Sequence, residues 1–81
     1  MNMPARAVNG TAVKIIRELL GITQHDLAAR CDVSQGHLSN VERGIFQASP
    51  QLGRQIADKL GVPMEAITYP LTKSAAVPAT P

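Results

Sequence analysis

The chain has 81 residues, a formal net charge of +2 and an isoelectric point near 9.1. That length suits one small domain, and the mildly basic charge permits DNA binding without indicating it. Hydrophobic residues make up 44% of the chain and aromatic residues only 2%, so aliphatic side chains must build the core. This composition favours an all-α fold over a β-sandwich, and we expect a compact bundle of about five short helices.

The cellular setting is predicted from cysteine usage and hydropathy. Cys31 is the only cysteine, which excludes a disulfide within the chain. Nothing at the N-terminus resembles a secretory signal, and no apolar run is long enough to span a bilayer. We therefore expect a reduced, cytoplasmic setting and no membrane partner.

The chain is expected to begin with a flexible arm over residues 1–8, which contains a proline and shows no periodicity. The arm's one basic side chain, Arg6, could reach a phosphate or a minor groove, and the alternative is a plain disordered start. Asn9 can cap a first helix over residues 10–20, whose apolar residues share one face.

Two short helices joined by a tight turn are predicted next. Thr23 is a good N-cap for a helix over residues 24–31, and Asp26 three positions later completes something close to a capping box. Ser34 is a good N-cap for a helix over residues 35–43. The connection is too short for anything but a sharp corner, and Asp32 lies where that corner needs a residue tolerating positive φ. A second helix held in this way has the shape that enters a DNA major groove.

The outward face of this second helix carries side chains that are small, polar or basic, namely Gln35, Gly36, Ser39, Asn40 and Arg43. Gln35 and Asn40 are expected to contact base edges, because amides suit adenine N6 and N7. Gly36 either admits a thymine methyl closely or leaves its position unread. Ser39, Arg43 and the neighbouring His37 are phosphate candidates. The alternative for each polar residue is a solvated surface.

The rest of the chain is predicted to complete the bundle. The loop over residues 45–49 carries no charge, and Phe46 is expected to cover the edge of the core, with a partner contact as the alternative. A fourth helix should begin after Ser49, and a short fifth helix should span residues 63–68. The tail over residues 70–81 is rich in Pro, Ala and Thr, and we expect it to be disordered.

Metal and catalytic sites are not indicated. His25, Cys31 and His37 lack a fourth ligand and any known metal spacing, so we expect neither a metal nor a cofactor. No Ser-His-Asp set, carboxylate pair or glycine-rich phosphate loop is present in a plausible pocket. The chain is therefore predicted not to be an enzyme, and no small-molecule ligand is evident.

Several short motifs agree in residue type and spacing with one known family: Gly21-Ile22-Thr23-Gln24, Asp26-Leu27-Ala28, Val33-Ser34-Gln35, Leu38-Ser39 and Glu42-Arg43-Gly44. From about Val13 to Ile67, the chain resembles the helix-turn-helix domain of the lambda-repressor/Cro-like proteins, also called the XRE family. The resemblance implies that residues 9–69 form one DNA-binding domain with a central helix-turn-helix.

The resemblance also implies roles for particular side chains. Gln24 would bind a phosphate from the start of its helix. Arg17 would pair with Glu42 as a structural bridge between the first and third helices, and the alternative is that both are simply exposed. Many relatives carry basic residues in the loop that follows Gly44, and this chain has none there. Backbone contacts from that loop are therefore weakly supported.

The expected function is that of a sequence-specific DNA-binding transcriptional regulator, a phage Cro-like or small bacterial XRE protein. Its partner would be a double-stranded DNA operator, and by resemblance it would repress by excluding polymerase. The alternatives are an antitoxin and a protein-interaction module that binds a partner protein. With no sensor domain, control would come from its concentration, a partner or proteolysis.

We also expect a homodimer on DNA, formed through apolar residues near the end of the chain: Val62, Met64, Tyr69 and Leu71.

Overall fold

A computed structural model describes residues 6–71 of the chain. In chain order the elements are strand β1 (Arg6–Val8), helices α1 (Gly10–Leu19), α2 (Gln24–Arg30), α3 (Gln35–Glu42), α4 (Pro50–Leu60) and α5 (Met64–Ile67), and strand β2 (Thr68–Pro70). The predicted bundle of five short helices around a central helix-turn-helix is confirmed. None of the described helices is long and apolar enough to cross a membrane.

The four longer helices begin at the predicted N-cap residues. The Asn9 side chain accepts a hydrogen bond from the backbone N–H of Ala12, and Thr23, Ser34 and Ser49 each accept one from the residue three positions later. Each bond satisfies a backbone donor that the first turn of a helix leaves free. Local sequence therefore sets where these helices begin.

The corner between α2 and α3 depends on a left-handed backbone conformation. Asp32 has a φ of 60°, as the turn was predicted to require, and it is the one described non-glycine residue with a positive φ. The N–H of Val33 donates to the Ala28 carbonyl at 3.0 Å and closes the turn. Only four residues consequently separate α2 from α3.

Inward-facing aliphatic side chains from all five helices form one core. Its fully buried members are Val13, Leu27, Cys31, Leu38, Ile56 and Ile67. α1 approaches α3 so closely at Gly10 that a Cβ there would overlap the Val41 carbonyl oxygen and lie 2.9 Å from the Glu42 Cα. Core packing and this close approach hold α3 in place while its other face stays open.

The expectation of a flexible arm over residues 1–8 is wrong for residues 6–8. β1 pairs antiparallel with β2, so that Val8 lies opposite Thr68 and Ala7 opposite Tyr69. Ala7 and Val8 are buried, and the Val8 N–H donates to Gln47 Oε1 at 2.8 Å. Burial of these two side chains explains why residues 6–8 form a strand, because removing apolar surface from water favours the packed state.

Arg6 is held by the opposite strand in this structure. Its Nε donates to Thr68 Oγ1 at 2.7 Å, and its guanidinium also donates to the Thr68 carbonyl oxygen at 3.2 Å. The prediction of a disordered tail over residues 70–81 is also wrong at its first residue, since Pro70 belongs to β2. Residues 1–5 of the expected arm and residues 72–81 of the expected tail lie outside the described residues.

Candidate nucleic-acid interface

Helix α3 presents one polar face to solvent. At about 100° per residue, Gln35, Ser39, Arg43, Gly36 and Asn40 follow one another around an arc of roughly 140°. The structure leaves Gln35, Gly36, Asn40 and Arg43 exposed and Ser39 half-buried. The opposite face is formed by Leu38, Val41 and Glu42, which are all buried. The predicted base-contacting and phosphate-contacting residues of α3 therefore share one accessible surface, apart from His37.

His37 lies at the edge of this polar face and packs on the loop after α3. Its ring meets the Phe46 ring edge to face, with centroids 4.8 Å apart and an interplanar angle of 61°. Phe46 remains half exposed and lies outside the core cluster, so it covers His37 more than the core edge. The backbone N–H groups of Ile45 and Phe46 both donate to the Asn40 carbonyl oxygen, which ties the loop to the end of α3.

The buried end of α3 carries an ion pair with α1. Arg17 Nε donates to Glu42 Oε2 at 2.7 Å, and another guanidinium nitrogen donates to Oε1 at 3.0 Å. The side chains of Arg17 and Glu42 are only 9% and 2% exposed. The hydrogen bond to Glu42 raises the pKa of Arg17 against the opposing effect of burial, so the guanidinium stays charged.

Gln24, at the first position of α2, joins this ion pair to the surface of α3. Its Nε2 donates to Glu42 Oε1 at 3.0 Å, and its Oε1 accepts from Gln35 Nε2 at 3.3 Å. Sequence reasoning assigned Gln24 and Gln35 separate roles and missed both contacts. Gln24 lies 11 positions from Gln35 and 18 positions from Glu42 in the sequence. Helical periodicity relates only neighbours on one helix, so it could not predict these contacts between α2 and α3.

The acidic partner predicted for the Thr23 cap is engaged elsewhere. The Asp26 carboxylate forms an ion pair with Arg30, one helical turn later on α2, with a nitrogen–oxygen distance of 3.0 Å. Only the Thr23 half of the expected capping box is therefore observed. Both charged groups are about half exposed, so their pairing adds little stability.

The structure does not bring His25, Cys31 and His37 together as a metal site. Within residues 6–71, no group of three or more His, Cys, Asp or Glu side chains could hold a metal ion. Cys31 is buried in the core, and burial raises the pKa of its thiol. A shallow groove lies beside it, between the turn at Asp32 and the start of α4, where its lining includes His37 and Ser49.

Comparison with known proteins decides the family. The model of the helix-turn-helix family matches residues 13–67, which run from within α1 to the end of α5 and make up most of the chain. The chain belongs to the helix-turn-helix family. Among curated protein sequences, none matches this chain.

Solved structures of similar fold include a gene regulator, a restriction-modification controller protein and a hypothetical transcription factor. The clp gene regulator ClgR from Corynebacterium glutamicum is 34% identical, with a TM-score of 0.68 over 69% of this chain and 60% of the ClgR chain. This chain thus matches less than two thirds of that ClgR chain. The restriction-modification controller protein C.AhdI from Aeromonas hydrophila is 23% identical, with a TM-score of 0.68 over 70% of this chain and 86% of its own.

A transcription factor from Neisseria, described as hypothetical and named NHTF, is 22% identical, with a TM-score of 0.63 over 80% of this chain and 82% of its own. At that identity the likeness, as for C.AhdI, shows the fold alone. The family match and the likeness to ClgR identify the exposed polar face of α3 as part of a helix-turn-helix domain of a fold found in a gene regulator.

Proposed function

We propose that this protein binds a specific double-stranded DNA operator through α3 and represses transcription by occupying that operator. The observation that carries the proposal is the polar face of α3, on which hydrogen-bonding side chains are exposed while the opposite face is fixed in the core. A B-DNA major groove is wide enough to admit an α-helix, and its base edges are distinguished by their donors and acceptors.

In this proposal Gln35 and Asn40 read base edges. Each amide offers one acceptor and two donors, which matches the N6 donor and N7 acceptor of adenine. Gly36 lies between them on the exposed arc, and nothing in the structure lies within 4 Å of where its Cβ would be. A thymine methyl or the groove wall can therefore approach the backbone closely at this position.

Phosphate contacts would come from other side chains on the same surface and beside it. Arg43 is exposed at the C-terminal end of α3 and can neutralise a phosphate, whereas Ser39 and His37 can donate single hydrogen bonds. Gln24 is half-buried and commits one N–H to Glu42, so its second N–H is the one left for a phosphate. These contacts would position α3 without reading sequence.

Two copies are proposed to bind one operator with two-fold symmetry. A single recognition helix reads few bases, and nonspecific binding of this kind has a dissociation constant of about 10⁻⁴ to 10⁻⁶ M. The surface proposed for pairing contains Val62, Met64, Tyr69 and Leu71. Tyr69 and Leu71 are about half exposed in the structure, and Val62 and Met64 are half-buried beside the core.

Selection of bound sequences from a random pool of duplex DNA tests the proposal. We expect an inverted repeat whose half-sites are centred about 34 Å apart, roughly one turn of DNA, because dimers of this class present two recognition helices at that spacing. Recovery of one unrepeated motif bound by one copy would contradict the two-fold arrangement. Binding without any preferred sequence would contradict the operator proposal and favour a protein-interaction module.

A further inference from the structure

The buried ion pair lies within hydrogen-bonding reach of the surface proposed to read DNA. Arg17 contacts both carboxylate oxygens of Glu42 and also donates to the Ile22 carbonyl oxygen at 2.9 Å. Glu42 Oε1 accepts a further bond from Gln24, and Gln24 accepts one from Gln35. The result is a continuous path of hydrogen bonds from the buried guanidinium of Arg17 to an exposed side chain of α3.

The charge of Glu42 decides which way the two amides point. An ionised carboxylate can only accept hydrogen bonds, so Gln24 must turn its NH₂ group toward Glu42. The carbonyl oxygen of Gln24 then faces away from the ion pair, and Gln35 must offer its own NH₂ group to that oxygen. Flipping the Gln24 amide would set its oxygen against a carboxylate oxygen at the part-buried contact with Glu42. Flipping the Gln35 amide would set two acceptor oxygens against each other at its exposed contact with Gln24.

This polarity determines what Gln35 offers to DNA. One N–H of Gln35 is used by Gln24, and its second N–H and its Oε1 remain free. Bidentate recognition of adenine needs one N–H directed at N7 and one oxygen directed at N6. The two free groups match that requirement, and an amide held in one orientation loses no orientational freedom when it binds.

We infer that Glu42 and Arg17 are positioning residues for base readout, which fix the orientation of the Gln35 amide through Gln24. The inference rests on the proposed function, since it requires α3 to lie in the major groove. A purely structural ion pair would stabilise the fold and leave base preference unchanged. The two roles therefore differ in what happens at the one base pair that Gln35 reads.

The test replaces the pair without leaving a buried charge. The double variant Arg17→Met with Glu42→Leu exchanges a buried ion pair for apolar side chains, which folded proteins often tolerate. Gln24→Met breaks the path at a half-buried residue and keeps the ion pair, so it serves if the double variant does not fold. Gln55→Ala removes an exposed amide from α4 and is the matched control.

Each variant is measured against a panel of single-base operator variants, and Gln35→Ala identifies the base pair that Gln35 reads. We expect the double variant and Gln24→Met to lose about tenfold in preference at that base pair, while preference at the other positions stays close to wild type. Nonspecific affinity should stay close to wild type in the double variant and fall only in Gln24→Met, which also removes the proposed phosphate contact. In the Gln24→Met background, the double replacement should cause no further loss of preference. A folded double variant, or Gln24→Met, that ranks the panel as wild type does would overturn the inference.

A second measurement in the free protein separates this inference from the proposed function. The side-chain NH₂ signals of Gln24 and Gln35 are recorded by ¹⁵N–¹H NMR without DNA. We expect both pairs of signals to move toward those of a free glutamine in the double variant, and the Gln55 signals to stay in place. If no DNA sequence is preferred, the proposed function fails, and unchanged Gln24 and Gln35 signals would independently overturn the orientation of the amides by Glu42.

Discussion

Cys31 lies in the core, where its thiol is shielded from water. It is only 2% exposed, and burial raises the pKa of its thiol, with the charge of Lys59 as a weaker opposing influence. A thiol of this kind is a poor nucleophile, because the thiolate is the reactive form. We therefore assign Cys31 to the core rather than to redox chemistry.

This environment gives the stability of the protein a pH dependence. An unfolded thiol loses its proton near pH 8.5, whereas the buried thiol keeps its proton to a higher pH. Above that value the unfolded state binds fewer protons than the folded state, so the free energy of unfolding should fall as pH rises. Below it the contribution of Cys31 should be constant.

Urea unfolding of the wild type and of Cys31→Ala, followed between about pH 7 and 9.5, checks this expectation. The variant starts from a lower stability because of the cavity it leaves, so the slopes with pH are compared and not the absolute values. The wild type should lose stability more steeply than the variant. Equal slopes would show that Cys31 is not shielded from water in the folded state.

At the scale of elements, the packing of α1 against α3 depends on a glycine at the first position of α1. A Cβ at Gly10 would overlap the Val41 carbonyl oxygen, and these backbone atoms belong to the helix that carries the proposed reading surface. Gly36, in α3 itself, has open space where its Cβ would lie. The same substitution by alanine would therefore meet crowded backbone at Gly10 and open space at Gly36.

Gly10→Ala should destabilise the protein by at least about 2 kcal/mol, because α1 or α3 must shift to make room. Gly36→Ala should stabilise it by up to about 1 kcal/mol, because alanine has the higher helix propensity and no contact is strained. Thermal unfolding of both variants measures the two effects. A Gly10→Ala variant as stable as wild type would show that α1 and α3 lie further apart than described.

The elements that the sequence predicts well are those with local signals. Each N-cap bonds to a residue three positions away, and the left-handed turn at Asp32 needs one tolerant residue, so both can be read from short stretches. β1 and β2 have no such signal. Each has three residues, they pair across about 60 positions of chain, and their burial depends on contacts such as that between Val8 and Gln47.

The candidate site shows the same division. The exposed arc of α3 follows from helical spacing alone, so all five residues predicted on it share a face. The bonds from Gln24 to Glu42 and Gln35 depend on how α2 crosses α3, which spacing within either helix does not contain. The contact of His37 with Phe46 likewise depends on the path of the loop that follows α3.

At the scale of the whole molecule, the helices and the small sheet form a support for one exposed helix face. The two chain ends of the described part meet in the β1–β2 pair, which contributes no residue to the polar face of α3. Residues 13–67, which match the family, contain the entire polar surface, whereas β1 and β2 both lie outside the matched range. Base readout and the contact between two copies of the protein are therefore proposed for different parts of the fold.

Binding of Asn40→Ala to single-base operator variants at two salt concentrations tests the central proposal most directly, with Arg43→Ala as comparison and Gln55→Ala as control. Asn40→Ala should lose about 1 to 3 kcal/mol on the best site and relax preference at one base pair per half-site. Arg43→Ala should weaken all variants alike and lower the salt slope by about 1, because it would neutralise one phosphate. If Asn40→Ala keeps the wild-type ranking of the operator variants, α3 does not read bases through Asn40, and the proposed reading surface is wrong.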